Sequence, residues 1–252
     1  MEVFVTRRIP ESGLNKLKKR YDVDINKKSR PLKKEELIEG VKGKDGLLCL
    51  LTDDIDEEII KAGEELKVIS NYAVGYDNID IEAATKHGIP VTNTPGVLTE
   101  TTADMAWGLM LAVSRNIVKG DKFVRKDRFE GWDPMMMLGH DIFGKTLGII
   151  GMGNIGSAVA KRSIGFGMDV IYHSRSKNEE VEEQLGAIRV DFEELLNEAD
   201  IISLHVPLTS ETEKMISWNE LDMMKEDAYL INTSRGEVVD EEALIESLRE
   251  NR

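Results

Sequence analysis

The chain has 252 residues and a formal net charge of −14, and 32% of its residues are charged. This length is enough for two modest domains that each bury a core of their own. The strong negative charge argues against nucleic acids and anionic membrane surfaces as partners, because both would repel it. No apolar run approaches the roughly 20 residues that a membrane span needs, and Met1 leads into a short strand pattern rather than a signal peptide.

The chain has a single cysteine, Cys49, which limits the disulfide and metal chemistry available to it and indicates its cellular compartment. It lies in the apolar run 46–51, where a buried strand residue is expected. One thiol can form neither an intramolecular disulfide nor a cysteine cluster for a metal ion. We therefore expect no metal site and a reducing, cytoplasmic location.

The first hundred residues alternate between short apolar runs and helical patterns. The apolar runs predict buried parallel strands, and the segments between them have the periodicity of amphipathic helices. The predicted strands are 2–6, 21–25, 46–51, 66–71 and 90–92, and the predicted helices are 10–20, 33–41, 56–62 and 81–87. The pattern predicts a parallel, flavodoxin-like α/β domain over residues 1–99.

The second predicted domain, 100–252, opens with a long apolar helix over 102–115 that starts near Thr99 or Glu100. It is apolar on most faces, so we expect it to be buried on both sides as a crossover between the domains. Residues 116–143 lack a regular pattern. Their apolar cluster, Met135 to Leu138, is compatible with core packing and with a subunit contact.

From residue 145 onward the alternation of strands and helices resumes. The predicted strands are 146–150, 168–173, 187–190, 200–205 and 228–232, and the predicted helices are 155–165, 179–185, 192–197, 218–224 and 240–252. A second parallel α/β domain follows from this order.

A glycine-rich turn lies between the strand 146–150 and the next helix. Gly151, Gly153 and Gly156 satisfy G-x-G-x-x-G. In that pattern the first glycine permits a tight turn, the second lets the backbone approach a pyrophosphate, and the third lets the helix pack on the strand. With the strand before it and the helix after it, the turn predicts a Rossmann domain that binds a dinucleotide. The expected contacts are the three glycines together with Met152, Asn154 and Ile155.

The end of the next strand indicates which dinucleotide is bound. An acidic residue about 20 positions after the turn normally binds the ribose 2′-hydroxyl of NAD. Here the strand is followed by Ser174, Arg175 and Ser176. A guanidinium can pair with a 2′-phosphate, whereas a carboxylate would repel it. The sequence thus favours NADP(H), with NAD(H) possible; the alternative is that Arg175 is an ordinary surface charge.

Three further motifs carry a family resemblance. They are Asn71 to Asp80 (NYAVGYDNID), Glu100 to Ala106 (ETTADMA) and Asn232 to Asp240 (NTSRGEVVD). Together with the glycine turn, they resemble the D-isomer-specific 2-hydroxyacid dehydrogenases over almost the whole chain, closest to the archaeal glyoxylate and hydroxypyruvate reductases. The resemblance implies reduction of a small 2-oxo acid, a flavodoxin-like substrate domain, a Rossmann domain and a homodimer.

The resemblance also assigns roles to individual residues. Arg235 would bind the substrate carboxylate and polarise its carbonyl, and Val74 and Gly75 would bind the carboxylate through backbone N–H groups. Thr102 would lie near the pyrophosphate or nicotinamide, and Thr233 and Ser234 would contact the cofactor. Each position also has a plain interpretation: a surface charge for Arg235, a tight turn at Gly75, and an ordinary first-turn helix residue at Thr102.

In this family a glutamate and a histidine beyond the arginine supply the proton, and neither is matched in this sequence. We expect a truncated chain that lacks the last strands of its Rossmann domain. His205 is the candidate replacement acid, although the resemblance makes it structural. The alternative to a reductase is therefore an NADP-binding module, or an inactive truncation, without turnover.

Overall fold

A computed structural model describes residues 1–250. The chain divides into two compact units, Met1–Val97 and the part that begins at Leu98, whereas the sequence suggested a boundary after residue 99. Each unit contains a five-stranded parallel sheet, so the predicted α/β class with two parallel-sheet domains is confirmed. Among the described residues, no helix is long and apolar enough to cross a membrane.

The first unit has the strand order β2-β1-β3-β4-β5. All neighbouring strands are parallel, so the loops that follow them share one edge of the sheet. The order reverses between β1 and β3, as in flavodoxin-like folds. The strands are β1 (Glu2–Val5), β2 (Asp22–Ile25), β3 (Gly46–Cys49), β4 (Val68–Asn71) and β5 (Val91–Thr92), and the helices are α1 (Glu11–Lys18), α2 (Lys34–Val41), α3 (Glu57–Ala62) and α4 (Ile81–Lys86).

Short apolar strands and capped helices build this unit. Leu47 and Ile69 on the central strands pack against Ile59 of α3 in one buried cluster. The Asp56 carboxylate caps α3 by accepting the N–H groups of Glu58 and Ile59, both at 3.1 Å. Cys49 is fully buried. Helix α3 therefore begins where a capping residue and apolar periodicity coincide.

The second unit has the strand order β10-β9-β6-β7-β8, again parallel throughout. The order reverses between β6 and β9, which is the arrangement of a Rossmann sheet. The strands are β6 (Thr146–Ile150), β7 (Asp169–His173), β8 (Ile188–Arg189), β9 (Ile201–Leu204) and β10 (Tyr229–Asn232). The helices are α5 (Thr99–Ser114), α6 (Ile117–Arg125), α7 (Asn154–Arg162), α8 (Glu179–Leu185), α9 (Phe192–Glu198), α10 (Trp218–Met223) and α11 (Glu241–Glu250).

Helix α5 packs against α7 and the turn that follows it. The Trp107 indole donates a hydrogen bond to the Val159 carbonyl at 3.0 Å and stacks on Phe166 with 4.6 Å between ring centroids. Ala103, Ala106 and Met110 continue this buried face. The expectation that α5 is buried on both sides is wrong, because its opposite face exposes Met105, Leu109 and Val113.

Residues 116–143 are more regular than their sequence suggests. Helix α6 occupies 117–125, where no helix was predicted, after Asn116 in a left-handed conformation at φ 54°. The helix has nine residues, none of them is buried, and Gly120 in its interior is a poor helix former. Met135 and Leu138 are exposed, which excludes core packing for that cluster in this chain.

Smaller boundary differences have local causes. Helix α7 ends at Arg162 and continues as a 3₁₀ turn, Ser163–Phe166, before Gly167 closes it at φ 57°. Helix α11 is described to Glu250, and the last two positions of the predicted helix, 251–252, lie outside the described residues.

Candidate functional site

The loops after the parallel strands of the second unit gather most of the predicted site residues on one sheet edge. The glycine turn follows β6, Ser174 to Ser176 follow β7, His205 follows β9, and Thr233 to Arg235 follow β10. Because ligands of open α/β sheets bind outside the carboxyl ends of the strands, this edge is the candidate active site.

Steric constraints account for the first and third glycines of the turn. Gly151 adopts φ 98°, and a Cβ there would lie 2.7 Å from the carbonyl oxygen of His205, the residue that follows β9. A Cβ on Gly156 would lie 2.1 Å from the Gly151 carbonyl oxygen. A Cβ on Gly153 would meet nothing within 4 Å, so that face of the turn is open. The first and third glycines are required by the fold, and the second leaves space for a ligand.

The helix that follows completes a cradle for an anion. Gly153 is the N-cap of α7, and Asn154 and Ile155 form its first turn. The first N–H groups of a helix have no intrahelical acceptor and carry the positive end of its dipole. Open space beside Gly153 and these N–H groups fit the pyrophosphate of a dinucleotide.

Asn178 is a residue of this turn that the sequence analysis missed. Its amide donates to the Met152 carbonyl at 3.1 Å and to the Ser157 hydroxyl at 3.0 Å, while its oxygen caps α8 by accepting the Val181 N–H. The N-cap position before an acidic helix was a readable signal for the cap, but its contacts with the glycine turn depend on tertiary structure.

The loop after β7 presents Arg175 to solvent. Arg189 on β8 donates to the Ser174 carbonyl at 2.8 Å and to the Arg175 carbonyl at 3.2 Å, which anchors the backbone of this loop. In the described part of the chain, the guanidinium of exposed Arg175 makes no hydrogen bond or ion pair. Arg189 thus adds a second positive charge beside Ser174, and the sequence analysis had not singled it out.

Asn232, the last residue of β10, shapes the loop that carries Arg235. Its oxygen accepts the Ser234 N–H at 2.9 Å and the Ser234 hydroxyl at 2.8 Å, and its amide donates to the Arg235 carbonyl at 2.7 Å. Such an Asx turn fixes the backbone on both sides of Thr233. Arg235 itself has extended backbone and is half-buried.

His205 is held between β9 and the β10 loop. One ring nitrogen, Nε2, lies 2.7 Å from the Ser203 hydroxyl, and the other, Nδ1, lies 3.5 Å from the Thr233 hydroxyl. Burial lowers the pKa of the imidazole to about 4. The ring is therefore neutral near pH 7, which suits a hydrogen-bonding role better than that of a proton donor.

Thr102 does not belong to a loop of this edge. It lies half-buried in the first turns of α5, where its N–H donates to the Leu98 carbonyl at 2.8 Å. Glu100 and Asp104 on either side of it both pair with Arg162 at the end of α7. Within the second unit, the contacts of the first turns of α5 are those of a helix packed against α7.

Val74 and Gly75 belong to the first unit, in the loop that follows β4. Two side-chain amides hold this loop: Asn93 donates to the Val74 carbonyl at 2.7 Å, and Asn71 donates to the Gly75 carbonyl at 2.8 Å. Both carbonyls of this loop are thereby occupied by the protein. The N–H groups are the remaining polar groups of these peptides.

Comparisons with known proteins identify relatives of the whole chain. Residues 107–252 match the family model described as D-isomer specific 2-hydroxyacid dehydrogenase, NAD binding domain. Glyoxylate reductases of Thermococcus litoralis and Korarchaeum cryptofilum are 54% and 53% identical, over 99% and 98% of this chain and 76% and 75% of theirs. The crystal structure of the TT0316 protein from Thermus thermophilus is 46% identical with a TM-score of 0.92, covering 99% of this chain and 78% of that one.

Proposed function

Because this chain belongs to the D-isomer-specific 2-hydroxyacid dehydrogenases, we propose that it reduces a small 2-oxo acid, glyoxylate or hydroxypyruvate, to the D-2-hydroxy acid. The observation that carries the proposal is the shared sheet edge of the glycine turn and the Arg235 loop. One edge thereby holds a dinucleotide cradle and a guanidinium suited to an acid substrate. When bound, the nicotinamide supplies the hydride.

Arg235 meets the electrostatic need of this reaction. The ketone oxygen becomes negative as its carbon is reduced, and a fixed cation stabilises that charge more in the transition state than in the ground state. A planar guanidinium can hold a carboxylate and a carbonyl oxygen at once. The Asn232 turn supports this role, since it fixes the Arg235 backbone at the carboxyl-end edge of the sheet.

The Arg235→Ala variant tests the proposal. We expect kcat/KM for glyoxylate to fall more than about tenfold, because one charged transition-state contact is lost. The measurement is reduced-nicotinamide absorbance during glyoxylate addition, with cofactor titration of the same variant as the control. Unchanged kcat/KM in Arg235→Ala would remove the assigned role.

NADP(H) is the proposed cofactor, with NAD(H) as the alternative. Ser174, Arg175 and Ser176 follow β7, and exposed Arg175 is available to pair with a 2′-phosphate. Arg189 supports this preference by adding positive charge at the Ser174 carbonyl. Gly151 to Gly156, Thr102, Thr233 and Ser234 are the other proposed cofactor contacts.

The second candidate function is dinucleotide binding without turnover. The observation that favours it is the lowered pKa of His205, which leaves this strand-end histidine uncharged near neutral pH. General acid catalysis is typically worth about 10²- to 10⁴-fold in rate, so the source of the proton is decisive. Tight NADPH binding without oxidation on glyoxylate addition would support this function; clear turnover would exclude it.

Exposed apolar side chains between Leu98 and Phe143 support a homodimer. Met105, Leu109 and Val113 form a stripe on α5, and Trp132 and Met135 are 82% and 74% exposed. Large apolar side chains exposed in such number are uncommon on monomers. We infer that a second copy of the chain covers this surface.

A cytoplasmic location is also part of the proposal. It is supported by the use of a single cysteine, whose thiol is buried rather than cross-linked. Burial raises the pKa of the Cys49 thiol to about 12, so the group is unreactive at neutral pH.

A further inference from the structure

We propose that Asn178 joins the loop that carries Arg175 to the glycine turn, and that it is thereby a positioning residue that strengthens the preference for NADP(H). The proposal rests on the proposed function, which assigns the 2′-phosphate to Arg175 and the pyrophosphate to the glycine turn. No ligand contact is assigned to Asn178. It acts through its hydrogen bonds to the two segments that would bind the cofactor.

The side-chain amide of Asn178 holds the glycine turn. It donates to the Met152 carbonyl oxygen at 3.1 Å and to the Ser157 hydroxyl in α7 at 3.0 Å. The Met152 carbonyl and the Gly153 N–H belong to one planar trans peptide, so a fixed carbonyl also fixes the direction of that N–H. Among the described residues this N–H donates no hydrogen bond, and a Cβ on Gly153 would meet nothing within 4 Å. The amide therefore orders a peptide of the turn whose N–H is available to a ligand.

The backbone of Asn178 ends the loop that carries Arg175. This loop, 174–178, begins after β7, where Arg189 donates to the first two of its carbonyls. At the other end, the Asn178 N–H donates to the hydroxyl of Tyr172 at 2.9 Å, and that tyrosine is fully buried in β7. The loop is thus held at both ends, with Arg175 between the two points of attachment.

Ion pairing leaves Arg175 as the cation of this loop that is free to bind a ligand. Lys177 pairs with one carboxylate oxygen of Glu182 in α8 at 2.9 Å, and the other oxygen accepts the Tyr172 hydroxyl at 2.8 Å. The hydrogen bond from Lys177 holds the pKa of Glu182 below its usual range, so this pair persists at neutral pH. In the part of the chain that the structure describes, the guanidinium of Arg175 has no such partner. A 2′-phosphate would therefore be bound by Arg175 rather than by Lys177.

One residue thus links the two parts of the proposed cofactor site. Asn178 lies 26 positions from Met152 along the chain, and its amide fixes the distance between the glycine turn and the end of the Arg175 loop. NADH needs only the turn in place, whereas NADPH needs the turn and the guanidinium in place together. Loss of the Asn178 amide should therefore weaken the binding of both cofactors, and that of NADPH more.

The Asn178→Ser variant tests the proposal. The Asn178 oxygen caps α8 by accepting the Val181 N–H at 3.2 Å, and a serine hydroxyl can still cap a helix. Serine has no amide with which to bond both Met152 and Ser157, so the variant keeps the cap and removes the link. We expect the dissociation constant to rise about threefold for NADH and about tenfold or more for NADPH, because hydrogen bonds that position the donors are lost. Fluorescence titration of both cofactors measures these constants.

Asn197→Ser is the matched control. Asn197 also donates its amide to a backbone carbonyl of the second unit, that of Glu193 at 2.7 Å, and it lies in α9, which carries no proposed cofactor contact. This variant should leave both dissociation constants unchanged. A double-mutant cycle adds a second readout: we expect Arg175→Ala to weaken NADPH binding less in the Asn178→Ser background, because the guanidinium is already displaced there.

The binding measurements separate this proposal from the proposed function. If Asn178→Ser changes the two dissociation constants as expected but the unsubstituted chain does not reduce glyoxylate, the reductase proposal fails and the role of Asn178 stands. If glyoxylate is reduced but Asn178→Ser binds the two cofactors with an unchanged preference, the proposed function stands and the role of Asn178 fails.

Three results would overturn the proposal. The first is an equal change, or no change, in the affinity for NADPH and NADH in Asn178→Ser. The second is additive effects of the two substitutions in the double-mutant cycle, and the third is an unsubstituted chain that does not bind NADPH. A purely structural role for Asn178 would lower the melting temperature without changing the preference between the cofactors.

Discussion

Asparagine side chains shape loops at the carboxyl-end edges of both sheets. Asn71 and Asn93 hold the Gly75 loop, Asn178 holds the glycine turn, and Asn232 holds the loop of Arg235. A short side chain with both a donor and an acceptor can replace backbone partners that a loop lacks. The residues proposed to contact ligand are thus positioned by asparagines to which no ligand contact is assigned.

At the scale of the residue, Arg175 is the side chain that tests the proposed preference for NADP(H). We expect Arg175→Ala to weaken NADPH binding about tenfold or more while NADH binding changes little, because only NADPH has a 2′-phosphate for the guanidinium to bind. Dissociation constants from fluorescence titration of both cofactors check this. Arg20→Ala, which removes another exposed arginine, is the charge-matched control. Equal losses for both cofactors would contradict the 2′-phosphate argument.

At the scale of the element, the glycine turn between β6 and α7 has two positions where any side chain would collide with backbone and one position that faces open space. Gly151 and Gly156 lie where backbone oxygens would collide with any Cβ, while Gly153 faces free space. The turn is therefore rigid at its two ends and accessible between them. Rigid backbone donors bind an anion without an ordering cost, which suits a phosphate cradle.

Alanine at the second and third glycines should separate binding from stability. Gly153→Ala has room for its methyl group and φ −81°, so we expect an unchanged melting temperature but weaker dinucleotide binding. Gly156→Ala places its Cβ against the Gly151 carbonyl oxygen, so we expect a clear loss of stability. Thermal unfolding and cofactor titration measure the two effects, with Gly165→Ala as a control in open space. A stable Gly156→Ala variant would show that the turn can relax.

At the scale of the whole molecule, apolar side chains are concentrated on one stretch of the second unit. Leu109 on α5 is 41% exposed, and Trp132 is the most exposed tryptophan of the described chain at 82%. Burying such side chains against a second copy would contribute roughly 25 cal/mol for each Å² removed from water. This stretch is the surface on which the proposed homodimer depends.

A charge on this surface should separate the copies. We expect the chain to have twice its 28.3 kDa mass in light scattering, and Leu109→Glu to have the mass of one copy, because a carboxylate would be buried in the contact. Ile188→Glu, at an exposed apolar residue of strand β8, is the matched control and should remain dimeric. A monomeric unsubstituted chain, or a dimeric Leu109→Glu variant, would contradict the homodimer.

Most elements could be predicted from sequence, and the failures have physical causes. The strands β6 and β7 and the glycine turn have strong local patterns, and they lie where predicted. Helix α6 was missed because it is only nine residues long, contains Gly120 and buries none of its side chains, so it adds nothing to the apolar core pattern from which the other helices were predicted. The full burial expected for α5 was wrong because apolar composition does not say whether the second face meets this chain or another one.

The sequence by itself determined the two parallel α/β sheets, the glycine turn and the arginines after β7 and β10, since these depend on periodicity and spacing over a few residues. Only the tertiary structure decided that His205 is half-buried and neutral beside Ser203, and that Asn71, Asn78 and Asn93 hold the Gly75 loop. Such contacts join residues that are distant along the chain, as Asn78 and Leu50 are. Their partners are set by strand order and by burial, which local patterns do not encode.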